Sequence, residues 1–293
     1  MTRPADLLLT ALAPAIWGST YLVTTELLPP GYPVTLAVLR ALPAGLLLLV
    51  LVRQLPPRAW LGRIVLLGAF NFAIFWVLLF VAAYRLPGGV AATLGATQTL
   101  IVLVLARLSM GMPIRPLAVV AALTGIGGVA LLVLGPVGRL DPLGLAAGLG
   151  GAASMAAGTV FSRKWQPPVP PLTFTAWQLT AGGLLLVPVA LIAEPPLPAL
   201  SGANIAGLLY LGLFGAALTY FLWFRGVARI PPSAVSMLGM MSPVTAVVLG
   251  WLVLDQRLSP LQMLGAAAVL GSVWLGQRAA RGPSPARRRP VPA

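Results

Sequence analysis

The sequence predicts an all-α membrane protein with ten transmembrane helices, arranged as two inverted five-helix repeats. Three observations lead there. The chain is 59% hydrophobic and 8% charged, against about 45–50% and about 25% in soluble domains. Apolar runs of about 20 residues, enough helix to cross a hydrocarbon core of ~30 Å, follow one another from end to end. The second half of the chain repeats the first.

The spans are expected at 5–27, 33–52, 61–83, 88–109, 115–134, 142–162, 172–193, 203–226, 232–253 and 260–277. Turn-forming residues separate them. Pro29-Pro30-Gly31, Pro56-Pro57, Pro87-Gly88-Gly89, Gly135-Pro136, Pro167-Pro168, Pro195-Pro196 and Pro231-Pro232 sit where the apolar runs break, because proline lacks the amide a continuing helix needs. Barrel strands are excluded, since they alternate apolar and polar residues over about 10 positions and these runs are continuously apolar. No cleaved signal peptide is expected: hydrophobicity continues to Val23, past the small residues Ala11 and Ala13 that imitate a cleavage site.

At an offset of about 144, Arg229 falls on Arg85, Pro231 on Pro87, Leu238 on Leu94, Gly239 on Gly95 and Pro260 on Pro116, with Gly212 on Gly68 upstream. A slightly smaller offset puts Thr173, Gln178 and Gly183 on Thr35, Arg40 and Gly45. The units are expected at 1–138 and 139–278, followed by a basic tail at 279–293. An odd number of spans per unit sends the second unit through the membrane in the opposite sense. Inverted repeats are the architecture of secondary transporters, whose substrate sits between the halves near mid-membrane.

A net charge of +14 suggests nucleic acid in a soluble protein, but here the distribution follows topology. With the N-terminus cytoplasmic, fifteen of the 19 basic residues lie in inward segments, only Arg85, Arg139 and Arg257 in outward ones, and Arg40 within a span. This positive-inside asymmetry puts both termini in the cytoplasm. The Arg287-Arg288-Arg289 tail then reads as an anchor near anionic lipid, not as a nucleic-acid contact.

Trp17-Gly18-Ser19-Thr20-Tyr21 in the first span, Arg40 in the second, Ser242-Pro243 through Trp251, Asp255-Gln256-Arg257-Leu258-Ser259, Gln262, Gly265 and Gly271 resemble the EamA-type drug/metabolite transporter superfamily. The resemblance covers nearly the whole chain, and within the superfamily the chain looks most like bacterial YddG-type amino-acid exporters. Two positions depart from the pattern: Asp255 stands where the family usually has Glu, and Thr99 stands opposite Pro243 of the second repeat. The resemblance implies an exporter of the bacterial inner membrane with a central cavity built by spans 1, 3, 4, 6, 8 and 9. Fold alone does not select its substrate.

Polar groups in hydrocarbon need partners or a wet cavity, which narrows the candidate substrate site. Trp17 and Tyr21 share a helix face and offer an aromatic wall; Trp177 is a further deep aromatic residue. Arg40 lies about 10 Å into its span at 1.5 Å per residue. It either meets a substrate carboxylate or bonds the carbonyls of a broken helix, and Gln178 replaces it in the second repeat. Asn71 and Phe75 share a face, with Gly215 and Thr219 as counterparts. Thr93 and Thr97 share another beside Gln98, opposite Met237, Met241 and Ser242. Helix packing is the alternative for each. Pro243 and Gly239 form the candidate hinge, because an intrahelical proline leaves a carbonyl unpaired.

The remaining chemistry is sparse. There is no Cys or His, and the five acidic residues, Asp6, Glu26, Asp141, Glu194 and Asp255, all fall at span ends. Metal sites, acid–base pairs, activated nucleophiles and a phosphate-binding loop are therefore not expected, so neither is an enzyme, a cofactor or ATP. The expected function is secondary export of amino acids or related small metabolites by alternating access, facilitated because no carboxylate lies at mid-membrane. A multidrug exporter of hydrophobic cations is the alternative, although it favours a deep carboxylate; a receptor or scaffold would bring a soluble domain or long loops.

Overall fold

The computed structural model describes residues 4–86, 88–133, 141–255 and 259–281, and these hold helices and no strand. The helices are α1 (Pro4–Leu27), α2 (Pro33–Val52), α3 (Arg58–Gly68), α4 (Ile74–Arg85), α5 (Gly88–Ala96), α6 (Gln98–Met110) and α7 (Pro116–Val133). There follow α8 (Pro142–Lys164), α9 (Pro171–Ala193), α10 (Gly202–Gly212), α11 (Thr219–Arg229), α12 (Pro232–Leu238), α13 (Met241–Val253) and α14 (Pro260–Arg281). Two π-helical turns, Ala69–Ala73 and Leu213–Leu218, join α3 to α4 and α10 to α11. Proline at or beside the first position starts α2, α8, α9 and α12, where a missing amide costs nothing.

Among the described residues nine helices are long and apolar enough to cross a membrane. The expected tenth, α14, is as long as its neighbours but carries Gln262, Ser272, Gln277, Arg278 and Arg281 and is not among the nine. It also runs past the expected end at 277, so the start of the expected tail is helix. Gln277 Nε2 donates to Ala234 O at 2.9 Å, and the Arg278 guanidinium lies 4.1 Å from the Trp274 ring centroid, contacts that hold this last turn in place. The triple-arginine segment and the turn at Gly135-Pro136 lie outside the described residues.

Large apolar side chains cover the bundle's outside: Leu108, Leu191 and Ile192 are 77–87% exposed. Such a surface is suited to lipid and not to water. Inside, close crossings depend on small residues. α2 lies along α9, where a Cβ on Gly45 would meet Thr180 N at 2.6 Å and one on Gly183 would meet Leu42 Cα at 2.8 Å. α7 lies along α14 in the same way, Gly265 against Gly128 O and Leu132 N at 2.7 Å. The main core gathers Ala41, Phe72, Trp76, Leu179, Tyr220, Trp223 and Val235 from both halves of the chain.

Candidate functional site

The two π turns organise the buried polar groups. A π turn inserts one residue into the helical ladder and leaves a carbonyl without its amide. At the first turn the Ser154 hydroxyl donates to Phe70 O at 2.9 Å. At the second, the Arg40 guanidinium donates to Gly215 O. The repeat relates these contacts further. Gln178, the counterpart of Arg40, accepts at Oε1 from Asn71 Nδ2 at 2.9 Å, and Asn71 is the counterpart of Gly215. The Ser162 hydroxyl joins the amide pair, 3.1 Å from Asn71 Nδ2 and 3.2 Å from Gln178 Oε1. Asn71 and Gln178 are wholly buried. Each half thus uses one polar side chain of α2 or α9 to hold the π turn of the other half.

A second group surrounds Trp17 on α1. Its indole Nε1 donates to Thr219 Oγ1 at 2.9 Å. Its ring centroid lies 5.0 Å from Tyr220 and 5.2 Å from Trp223, and Tyr220 continues the cluster to Phe72 at 4.6 Å. Arg40 reaches the same cluster, 5.4 Å from the Trp76 centroid. Trp17 is only partly buried, while Tyr220 and Trp223 are core. On the same helix Gly18 admits close approach of α13: a Cβ there would meet Ser242 O at 2.5 Å and Thr245 Cβ at 2.6 Å. At the next position, the Ser19 and Tyr210 hydroxyls share a hydrogen bond of 2.7 Å.

The expected site residues therefore divide. Trp17, Arg40 and Thr219 converge on the aromatic cluster, and Phe75 packs at its edge. Asn71 instead faces α8 and α9. Trp177 is farther off, donating to Gln54 O at 2.6 Å at the end of the bundle and packing with Ile64, Leu67 and Phe174. Thr93 and Thr97 lie on partly exposed α5 and the break after it, where the Thr97 hydroxyl donates to Leu94 O at 2.6 Å; Gln98 opens α6. Met241 opens α13. The side chain of Tyr21 lies outside the described residues. Of the two expected hinge residues, Gly239 sits in the interruption between α12 and α13, while Pro243 falls in the first turn of α13, where it begins a helix without kinking one.

Two features had little sequence signal. The π turns leave no mark in an apolar run beyond the Gly68–Gly212 echo. An apolar crevice of about 380 Å³ between α2, α4, α8 and α9 is lined by Pro33, Val34, Phe80, Leu143 and Val189 with Arg85 at its edge; no sequence pattern marks it. Arg85 pairs there with Asp141 at 3.2 Å. Asp141 also caps α8 by accepting from Gly144 N at 2.8 Å, and this amide, followed by Arg85, holds its carboxyl below the usual value of 3.8. Among the described residues no three His, Cys, Asp or Glu side chains gather to hold a metal ion.

The model of the EamA-like transporter family matches residues 5–134 and again residues 142–276. The chain belongs to the EamA-like transporter family. It is 44% identical to protein PecM of Dickeya dadantii over 90% of both chains. It is 30% identical to YedA, an uncharacterized inner membrane transporter of Escherichia coli, over 89% of this chain and 86% of that one. A solved crystal structure shares the fold with a TM-score of 0.81 at 20% identity, covering 96% of this chain and 99% of the other. The chain is a multi-pass membrane protein of a transporter family, not an enzyme, and its bacterial relatives include inner membrane transporters.

Proposed function

We propose that this protein exports amino acids or related small metabolites across the bacterial inner membrane, by alternating access between two inverted five-helix repeats with both termini cytoplasmic. The observation that carries the reading is the reciprocal contact between repeats: Arg40 of α2 on Gly215 in the second π turn, and Gln178 of α9 on Asn71 in the first. Elements that correspond in sequence make corresponding contacts across the interface, as two interchangeable halves require. The narrower likeness to YddG-type exporters supports the amino-acid class.

The substrate face is built from Trp17, Tyr21, Phe75, Thr93, Thr97, Gln98, Thr219 and Met241, with Arg40 behind it. Arg40 places a positive charge beside the aromatic cluster at Trp76, which suits a carboxylate and repels a hydrophobic cation. Asn71 and Trp177 act by fixing helices around that face. Transport is facilitated: Asp6 is committed to arginines at the end of the bundle, and among the described residues no carboxylate lies at mid-membrane to couple protons.

The test is uptake by purified protein in lipid vesicles, using a panel of radiolabelled amino acids and one quaternary ammonium drug, for the natural chain and Trp17→Ala. Amino-acid flux reduced at least tenfold in the variant is the expected result. Flux of the drug alone would move the assignment to a multidrug exporter, and an imposed pH gradient that accelerates uptake would contradict facilitation.

A further inference from the structure

Two ion pairs occupy corresponding places in the two repeats. Arg229, in the last turn of α11, lies 3.0 Å from Asp6 in the first turn of α1. Its counterpart Arg85, in the last turn of α4, lies 3.2 Å from Asp141 at the start of α8. Each pair ties the end of one span to the beginning of another, and the two sit at opposite ends of the bundle.

They are not equal. Asp6 takes a second cation, Arg225 at 2.7 Å, where the first repeat has only Val81. Arg229 and Arg85 are alike in exposure, 49% and 46%, but Asp6 and its second partner Arg225 are 11% and 19% exposed, against 37% for Asp141. Exposed pairs are screened by water and hold weakly, whereas a buried carboxylate stripped of its arginines is strongly disfavoured, and so are the arginines left behind. Beside this carboxylate α1 and α11 are in close contact: a Cβ on Gly226 of α11 would run into the Thr10 side chain of α1, whose Cβ lies at 2.9 Å.

The helices that follow these pairs differ in the same sense. α12, after Arg229, is sealed, with Ala234, Val235 and Met237 at 0% exposure. Its counterpart α5, after Arg85, is partly exposed at every described position from Ala91 to Ala96. Equivalent helices of one chain thus stand in two environments, closed beside the doubly paired Asp6 and looser beside the singly paired, more exposed Asp141.

We propose that Asp6–Arg225–Arg229 is the latch that closes the α12 end of the transporter, with Arg85–Asp141 as its weaker counterpart, so that the chain rests closed at the α12 end and opens first at the α5 end. The inference rests on the alternating-access reading, and gives that cycle its resting state. In the proposed orientation the closed end faces the cytoplasm.

The chain contains no cysteine, so single reporters can be introduced without interference. Ser236→Cys on α12 and Ala92→Cys on α5 are reacted with a polar maleimide, the protein being held in lipid nanodiscs that expose both faces. With the natural latch the first reporter is protected and the second reacts. Asp6→Asn raises the Ser236→Cys rate about tenfold or more, as the closed state yields to the alternative, and slows Ala92→Cys; Asp6→Glu leaves both rates near their starting values. Should Asp6→Asn not give folded protein by thermal melting and gel filtration, Arg229→Gln, which leaves Asp6 its Arg225 partner, produces a smaller shift of the same sign. A folded Asp6→Asn whose Ser236→Cys stays protected overturns the latch. If Ala92→Cys still responds to Asp141→Asn, the latch alone fails; if neither reporter responds to any variant, alternating access fails with it.

Discussion

Arg40 illustrates how far a single residue can be read. The sequence marks it as the one basic group deep in a span and leaves open a substrate carboxylate or a broken helix as its partner. The π turn supplies Gly215 O, and the charge is held beside Trp76. A hydrogen bond from a charged group contributes about 1.5–3 kcal/mol, so Arg40→Met should lower the thermal unfolding midpoint in detergent clearly. Arg40→Gln, which keeps an amide donor at the position, should lower it less. Asn71→Ala removes a donor that serves both Ser162 and Gln178 in a buried cluster. Its expected destabilisation is about 1–3 kcal/mol, read in the same melt. Trp17 and Thr219 share one hydrogen bond, so in uptake assays Trp17→Phe and Thr219→Val should each reduce flux, and the double variant should be no worse than the poorer single, as coupled residues require. Additive losses would separate them.

At the scale of elements, the spans were legible because proline and glycine clusters punctuate long apolar runs, and membrane helices have few other signals to confuse with these. What escaped was the internal shape of the spans. A π turn in an apolar segment changes neither composition nor apolar period, so only its flanking glycines, Gly68 and Gly212, left an echo. The interruption after α12 falls at Gly239, while Pro243 lies in the first turn of α13; a proline at the start of a helix looks the same in sequence as one that breaks it. Close crossings need small residues, but which small residue meets a helix depends on tertiary geometry. Gly265→Val should block the α7–α14 contact, where even a Cβ would meet backbone at 2.7 Å, and yield little folded protein on gel filtration, while Gly271→Val, with open space around it, should be tolerated. The Asp141 cap gives a pH dependence with a defined sign. Its folded carboxyl titrates below the ordinary value of 3.8, so its contribution is complete above that value and is lost as pH falls through the lower folded one. The melting difference between the natural chain and Asp141→Asn should therefore close on acidification, and a gap that stays constant would contradict the cap.

For the whole molecule, the repeat carried most of what could be foreseen. Offsets in glycine, proline and arginine alone pointed to a unit written twice, and the family model matches twice, at residues 5–134 and 142–276. The repeat could not say that side chains of one unit complete the π turns of the other, because Arg40 and Gln178 find their partners only where α2 packs on the second π turn and α9 on the first. Of the candidate residues chosen from sequence, Trp17 and Thr219 come together, while Asn71, chosen for its polarity, faces α8 and α9; polarity in a span does not say which neighbour it meets. The central claim is that two halves exchange positions around a substrate, and counterflow tests it most directly. Vesicles holding the purified protein are loaded with an unlabelled amino acid that it carries and diluted into a trace of the labelled one. An alternating carrier brings labelled substrate in on its return, so label should accumulate transiently above equilibrium and decay as the unlabelled pool runs down. A monotonic approach to equilibrium, as through a pore, would contradict it.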